Sequence, residues 1–417
     1  MHLDPAARRS LHSSCQYWLS VIPATRKRNA RQVQRRNIYT EAVLPAPHAD
    51  SPVSAIDWYS FLERPRLPSP AAQSLEQLRD ASILVTGAGG SIGSALSLQL
   101  AELSPRTLVL LDASEQALHR LQWTLTDAAL PSQPHLVLAS IRDAAHLEQI
   151  FATYLPQIVL HAAAYKHVPL LEEHPLEAIG NNALGTLTLA DCAKKFNAAR
   201  FVLLSTDKAV APTSILGASK RIAEHIAIVH QGIVLRLGNV LGSEGSVSET
   251  FLRQIASGSP LTITNPDAER YFLTGEEAVD LMLLSATVAK RGSIIVPRLS
   301  RQHKIASLAE FLLSALPHEI KPPIAFTEPR PGDKIRESLW ASDEQPLGTT
   351  TPAYFEIEPQ ASDPTLLRRE LQHLENAVRE RDLPRAMQIV LRLVPTYTPS
   401  STVHNLLQAA SQGALQR

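Results

Sequence analysis

The sequence predicts an α/β protein: a doubly wound parallel sheet with a smaller, irregular α+β lid. Three observations carry that prediction. Between residues 82 and 235, six apolar runs bounded by turns alternate with helix-length segments. Continuous apolar strands separated by helices build a parallel sheet covered on both faces. Glycines 87, 90 and 93 follow the first run in the order strand, turn, helix that a phosphate-binding loop requires. Beyond Leu235 the alternation stops. Residues 236–345 mix loops, short strands such as Gly292–Val296 and helices such as Ser307–Leu316, the pattern of a lid over a binding domain.

Residues 1–54 are expected to form a disordered leader. Its first 40 positions set Arg8, Arg9, Arg26, Lys27, Arg28, Arg31, Arg35 and Arg36 against a lone Asp4. A solvated arm is the ordinary reading of such a run, and a peripheral membrane-surface arm is the alternative. Prolines 45, 47, 52, 65, 68 and 70 mark a linker over 41–72, and residues 55–80 read as a connector with a short helix over Ser74–Asp80. Core strands are expected at Ser82–Val85, Thr107–Leu111, His135–Leu138, Gln157–Leu160, Arg200–Leu204 and Gly232–Leu235. Helices are expected over Ser114–Asp127, Ala144–Tyr154 and Glu177–Phe196. Residues 81–235 therefore form the nucleotide domain, 236–345 a substrate subdomain with a return to the core, and 346–417 a helical tail in which no chemistry is legible.

Bulk properties narrow the class. Hydrophobic residues make up 44% and charged residues 19% of the 417 positions, ordinary for a chain that buries a sizeable core. Lys plus Arg equal Asp plus Glu at 40 each, so no global charge points to nucleic acid as a partner. Cys15 and Cys192 are too few for a disulfide framework, have no metal-type spacing, and fit a reducing compartment such as the cytoplasm. No run approaches the ~20 apolar residues of a spanning helix.

The segment Ile83 to Gly93 is the most specific signal. Gly87 permits a tight turn, Gly90 lets backbone approach a pyrophosphate, and Gly93 lets the following helix pack close. That helix begins near Ser91 and aims its N–H groups at the anion. Asp112 ends the second strand, where a carboxylate accepts from ribose hydroxyls and repels a 2′-phosphate; NAD is expected rather than NADP.

Ser205-Thr206-Asp207-Lys208 follows the fifth strand, and Lys220 lies twelve residues after Lys208 on the next helix. Strand C-terminal ends border the binding crevice of this fold. With these stretches in view, the chain resembles the CapD-like nucleotide-sugar 4,6-dehydratases of polysaccharide biosynthesis, within the extended short-chain dehydrogenases. The stretches that carry the resemblance are TGAGGSIGS (86–94), HAAAYKHVPLLEEHPLEA (161–178), NNALGT (181–186), STDKAV (205–210), GASKR (217–221), RLGNVLGS (236–243), RYFLT (270–274) and PRPGDK (329–334). They are similar to the soluble catalytic half of large membrane-anchored members, and Phe61 to Pro65 resembles the connector before that half.

The resemblance implies dehydration of a UDP-N-acetylhexosamine, UDP-N-acetylglucosamine first, by transient reduction of NAD. It implies Thr206 at the sugar 4-oxygen, Asp207 as the acid for the departing 6-hydroxyl, Lys208 as the C5 base if its pKa is lowered, and Lys220 at the nicotinamide ribose. The cofactor is expected on Gly87, Gly89, Gly90, Ser91, Ile92 and Gly93, then Asp112 and Arg142, and finally His161, Ala162, Ala163 and Lys220. On the substrate side the family segments place Lys166, Asn239, Arg253, Arg270 and Arg330, with Arg236 in the same pocket wall and His167 beside Lys166. Asn182 belongs to this set, expected to order the site through its amide. A homo-oligomer is implied and no metal.

Three departures stand out. Leu216 occupies the place where short-chain dehydrogenases carry the tyrosine base, so Asp207 or water must take that role. Glu244 replaces a common arginine, and Ser140 stands where relatives often have an Asp near the adenine. These motivate a second class, a non-catalytic NAD-binding regulator or scaffold. A nucleotide-sugar 4-epimerase is the other enzyme reading, disfavoured by Leu216 and by the Asp207-Lys208 pair.

Overall fold

The computed structural model describes residues 56–128, 130, 133–316, 321–349, 351–359 and 363–415. The basic leader and Cys15 lie outside the described residues.

The core runs β1 (Ser82–Thr86), α1 (Ser91–Leu103), β2 (Thr107–Asp112), α2 (Glu115–Asp127), β3 (His135–Leu138), α3 (Ala144–Tyr154) and β4 (Ile158–His161). Local chemistry sets these starts: the Ser114 side chain accepts from the amide of Ala117, and Asp143 accepts from that of His146, each capping a helix N-terminus. The expected helix over 177–196 begins at Pro175 and is interrupted: α-helix over Pro175–Ala178, π-helix over Ile179–Leu184, α-helix again over Gly185–Lys195. Such π-turns often mark functional sites, and this one carries Asn181 and Asn182. Then come β5 (Arg200–Thr206), α4 (Ile215–Val229) and β6 (Ile233–Leu237).

Past β6 the chain builds the lid, with α5 (Val247–Ala256) and α6 (Gly275–Thr287), and returns to the sheet as β7 (Ile294–Pro297) before α7 (Ile305–Ala315). Two more strands, β8 (Pro346–Leu347) and β9 (Tyr354–Ile357), complete a nine-stranded sheet of order β8-β9-β7-β6-β5-β4-β1-β2-β3. From β3 to β7 all pairings are parallel; β9 pairs antiparallel with both β7 and β8. The order reverses between β1 and β4, which opens the binding crevice at their C-terminal ends.

The C-terminal region therefore differs from the expected tail: it supplies two strands, then α8 (Pro364–Arg379), α9 (Leu383–Leu393) and α10 (Ser401–Leu415). Leu371, Leu374, Met387 and Val390 share one apolar cluster with Ile179, Leu189, Ile222 and Ile226, so these helices cover the π-segment and α4. A second cluster fills the opposite sheet face beneath α1, α2 and α6. A third makes the lid core, where Phe61 and Leu62 of the connector pack with Phe251, Phe272 and Leu312. Arg64 fastens the connector to α6 through paired bonds of 2.6 and 2.8 Å to the buried Glu277 carboxylate. Among the described residues, no helix is long and apolar enough to cross a membrane.

Candidate active site

At the first end of the crevice, backbone geometry makes an anion cradle. Gly87 has φ +69°, and a Cβ there would lie 2.6 Å from the Ala163 nitrogen, so only glycine fits between β1 and the half-buried Ala162–Ala163 backbone. α1 has Gly90 as its N-cap and so no side-chain cap, leaving its first N–H groups for a ligand, with Ser91, Ile92 and Gly93 in the first turn. Asp112 ties β2 to this turn: Oδ2 accepts from the Gly89 amide at 2.9 Å and Oδ1 from the Ser114 amide at 2.9 Å. A dinucleotide fits this arrangement, since cradle, free helix N-terminus and ribose-side carboxylate share one edge.

Two expected cofactor residues are engaged elsewhere. His161 is fully buried, with Nδ1 2.7 Å from Thr86 Oγ1 and Nε2 2.9 Å from Thr186 Oγ1. Burial, helped by the Lys220 charge, pushes its pKa down to about 3. Its ring is thus a neutral strut under the crevice, and a cofactor would meet this residue through its backbone. Arg142 donates to Glu177 at 3.0 Å, and Arg381 joins the same carboxylate.

At the other end, β5 delivers Thr206, Asp207 and Lys208 on a 3-10 turn (Asp207–Ala209). Thr206 Oγ1 donates to Asp207 Oδ1 at 2.9 Å; Lys208 Nζ donates to the same oxygen at 3.0 Å and to Asn239 Oδ1 at 3.0 Å. Asp207 is completely buried, and its Oδ2 has no partner among the described residues. The Lys208 side chain remains 22% exposed. Burial presses the Lys208 ammonium toward deprotonation, yet the Asp207 and Glu337 charges outweigh it, and the pKa is raised. The expectation of a lowered pKa is thereby corrected: the carboxylates win.

α4 closes this end. A Cβ on Gly217 would lie 2.1 Å from the Lys208 carbonyl oxygen, so the helix touches the Asp207–Ala209 turn directly. Lys220 Nζ donates to the Leu204 carbonyl at 2.7 Å, and burial lowers its pKa to about 8 against the opposing charge of Glu224. Leu216 packs into the apolar cluster at 5% exposure.

The substrate-side residues separate into three kinds. Asn239 meets Lys208, while Lys166, Arg253 and Arg330 are exposed; Lys166 donates to the Glu244 carbonyl, and Arg330 only approaches Asp333, at 3.7 Å. Asn182 is enclosed: it accepts from the Tyr165 amide at 2.8 Å and donates to the Tyr165 carbonyl at 3.0 Å and to Ser219 at 3.2 Å. Its amide thus braces the β4 loop against α4, the ordering role expected of it. Arg270 is enclosed as well: at 8% exposure it donates to the carbonyls of Glu269, Ile335 and Lys334 at 2.7, 3.0 and 2.8 Å, so it holds a loop. Arg236, expected in the pocket wall, is fully buried between Glu224 and Glu344.

Glu244 lies over the cradle, its amide donating to Ser91 Oγ at 2.9 Å and its carboxylate 4.0 Å from Arg120, and His167 packs beneath Gly245. Glu337 and Glu172 were not singled out in the sequence. Glu172 directly follows the apolar run Val168 to Leu171 and stands beside a second acid, Glu173, so no local pattern set it apart.

A family model described as polysaccharide biosynthesis protein matches residues 83–359. This chain belongs to that family. CapD, the capsular polysaccharide biosynthesis protein of Staphylococcus aureus, is 39% identical over 279 residues, 64% of this chain and 46% of CapD, so the chain spans about half the length of that relative. The UDP-glucose 4-epimerase of Rickettsia canadensis (strain McKiel) is 31% identical over 297 residues, 68% of this chain and 84% of the epimerase. Among solved structures, DesIV, a dTDP-glucose 4,6-dehydratase from Streptomyces venezuelae with NAD and TYD bound, superposes with a TM-score of 0.55 at 20% identity over 71% of this chain and 97% of its own, a likeness of fold.

Proposed function

We propose that the chain removes water from a UDP-N-acetylhexosamine, UDP-N-acetylglucosamine first, to give a 4-keto-6-deoxy sugar nucleotide for glycan synthesis. The observation that carries the proposal is the Lys208–Asp207 contact of 3.0 Å at the crevice end of β5. NAD, held by the Gly87 to Gly93 cradle and Asp112, supplies the chemistry of taking a hydride from C4 and returning it to C6.

The protein's own part is proton management. When a sugar displaces water from the crevice, the lower dielectric favours neutral partners over an ion pair. The ammonium proton then crosses from Lys208 to Asp207, leaving an amine and a carboxylic acid. Thr206 holds the C4 hydroxyl, whose proton leaves to water because Leu216 cannot accept it. The Lys208 amine takes the C5 proton, and Asp207 protonates the departing 6-hydroxyl. Lys208 returns its proton to C5, and the medium restores the shared proton to the pair. The exposed Lys166 and Arg330 are the cations offered to the diphosphate.

The test is incubation with NAD and UDP-N-acetylglucosamine, with mass spectrometry of the product. Loss of one water from the sugar nucleotide is expected for the wild type and not for Lys208→Gln. The likeness to a UDP-glucose 4-epimerase favours a second reading, in which the product is an isomer of unchanged mass. A chain that binds NAD and leaves the sugar untouched would be the scaffold of the third reading.

A further inference from the structure

Glu172, the penultimate residue of the helix Val168–Glu173, is 1% exposed, and its hydrogen bonds among the described residues go to Ile215 and Ser400. Its Oε1 accepts from the amide of Ile215, the first residue of α4, at 2.7 Å. Its Oε2 accepts from Ser400 Oγ, in the segment between α9 and α10. The neighbouring chain is tied to the same place. Thr398 donates its amide to the Pro212 carbonyl at 3.0 Å, and Thr213 Oγ1 donates to the Gly332 carbonyl at 3.0 Å. Tyr397 is buried beside Glu172, with no hydrogen-bond partner for its hydroxyl among the described residues.

The position of Ile215 matters because α4 has no slack. Gly217 abuts the Lys208 carbonyl and Pro212, and Lys220 reaches back to β5. The first turn needs acceptors for its free N–H groups. Ser214 Oγ serves Gly217 at 3.2 Å, and Glu172 serves Ile215 with a carboxylate at the positive end of the helix dipole. Ser400 lies beyond the residues matched by the family model, which end at 359.

We propose that Glu172 is a positioning residue: its carboxylate ties the first turn of α4 to Ser400, so that the C-terminal helices hold Lys208 and Lys220 in register. The effect on turnover rests on the dehydratase reading; the effect on α4 and on cofactor binding does not.

The experiment compares the full chain as wild type, Glu172→Ala, Glu172→Gln and Ser400→Ala. Three readouts are taken: amide hydrogen exchange over residues 215–221 without cofactor, NADH affinity by fluorescence, and kcat and KM for water loss. Glu172→Ala is expected to speed the exchange, weaken NADH about tenfold and lower kcat by up to about 100-fold, the scale of a misplaced reacting group, with KM nearly unchanged. Glu172→Gln keeps an acceptor for Ile215 and is expected to restore all three to within about threefold. Ser400→Ala should move them in the direction of Glu172→Ala. Wild-type exchange and NADH affinity in both alanine variants would overturn the proposal, as would a Gln variant as impaired as the Ala variant. If Glu172→Ala does not fold, Ser400→Ala and Glu172→Gln decide by the same criteria. Absence of water loss in the wild type would sink the dehydratase reading while leaving exchange and NADH affinity to judge the tie.

Discussion

Two buried ionic groups sit at the ends of adjacent strands, and they are built on opposite plans. At β6, Arg236 gives Nε and Nη2 to Glu224 at 2.9 and 2.8 Å, and Nη1 and Nη2 to Glu344 at 2.6 and 3.0 Å. Ser205 and Arg221 add donors to Glu224; Arg221 and the Ala341 amide add donors to Glu344. Every oxygen of the two carboxylates is taken. At β5, Asp207 shares one oxygen between Thr206 and Lys208, leaves the other bare, and meets a lysine that water still reaches. Saturation fixes charge states and geometry; an unsatisfied pair can change partners and move a proton. The saturated group is a rivet between α4, β6 and the 339–344 segment, and the unsaturated one is where we propose proton transfer.

Two substitutions should separate the plans with opposite signatures. Lys208→Gln keeps a donor for Asp207 but cannot carry the proton. It is expected to cut turnover about a thousandfold, the range of a lost acid–base group, and to leave urea unfolding within about 1 kcal/mol of wild type. Glu344→Ala strands Arg236 and Arg221 with one carboxylate between them. It should cost about 3–5 kcal/mol of stability, and the rate per folded molecule should stay within about twofold. Equal losses of rate and stability in either variant would dissolve the distinction.

Acidity offers a smaller effect that touches only one group. Burial alone would raise the Glu344 pKa, but the hydrogen bonds and charge of Arg236 outweigh it and bring the value down from 4.5 to about 2. A carboxyl depressed on folding contributes stability that is full above its unfolded pKa and is lost as pH falls through the folded value. The expected loss is about 3 kcal/mol between pH 4.5 and about 2. Lys208, raised on folding, has the opposite sense: its contribution holds below 10.5 and declines only in base. Glu344→Gln should therefore flatten the acid limb of the stability profile, whereas Lys208→Gln should leave that limb intact.

The same contrast marks how far the sequence could be read. Ala144–Tyr154 and His135–Leu138 lie where the pattern predicts them, because capping residues and apolar runs are local signals. β8 and β9 were not legible: β8 has only two residues, the β9 run Tyr354–Ile357 is broken by Glu356, and β9 finds its partner about 60 residues back in β7. The doubly wound half is thus written in short-range pattern, and its antiparallel edge is written in long-range contact. At the site, Thr206, Asp207, Lys208 and Asn239 come together although the last is 31 residues from Lys208, because strand ends gather polar residues at one edge. Arg236 could not be told from a ligand-binding arginine. What makes it a rivet is Glu344, 108 residues away, and no local pattern announces that pairing.

The arginines offer the finest test. Arg236 and Arg270 have N–H groups occupied by carboxylates or carbonyls, while Arg330 is 58% exposed and, among the described residues, has only the 3.7 Å approach to Asp333. An exposed pair of that length contributes little, so Arg330→Ala should change stability by less than about 0.5 kcal/mol. A guanidinium free in solution is also one that a diphosphate can recruit bidentately. The same variant should therefore raise KM for the sugar nucleotide about tenfold with kcat nearly constant, the mark of binding shared equally by ground and transition states. If KM stays at the wild-type value, freedom from internal partners is not what distinguishes a ligand-binding arginine here, and the diphosphate must be held by Lys166 and the backbone at the rim of the crevice.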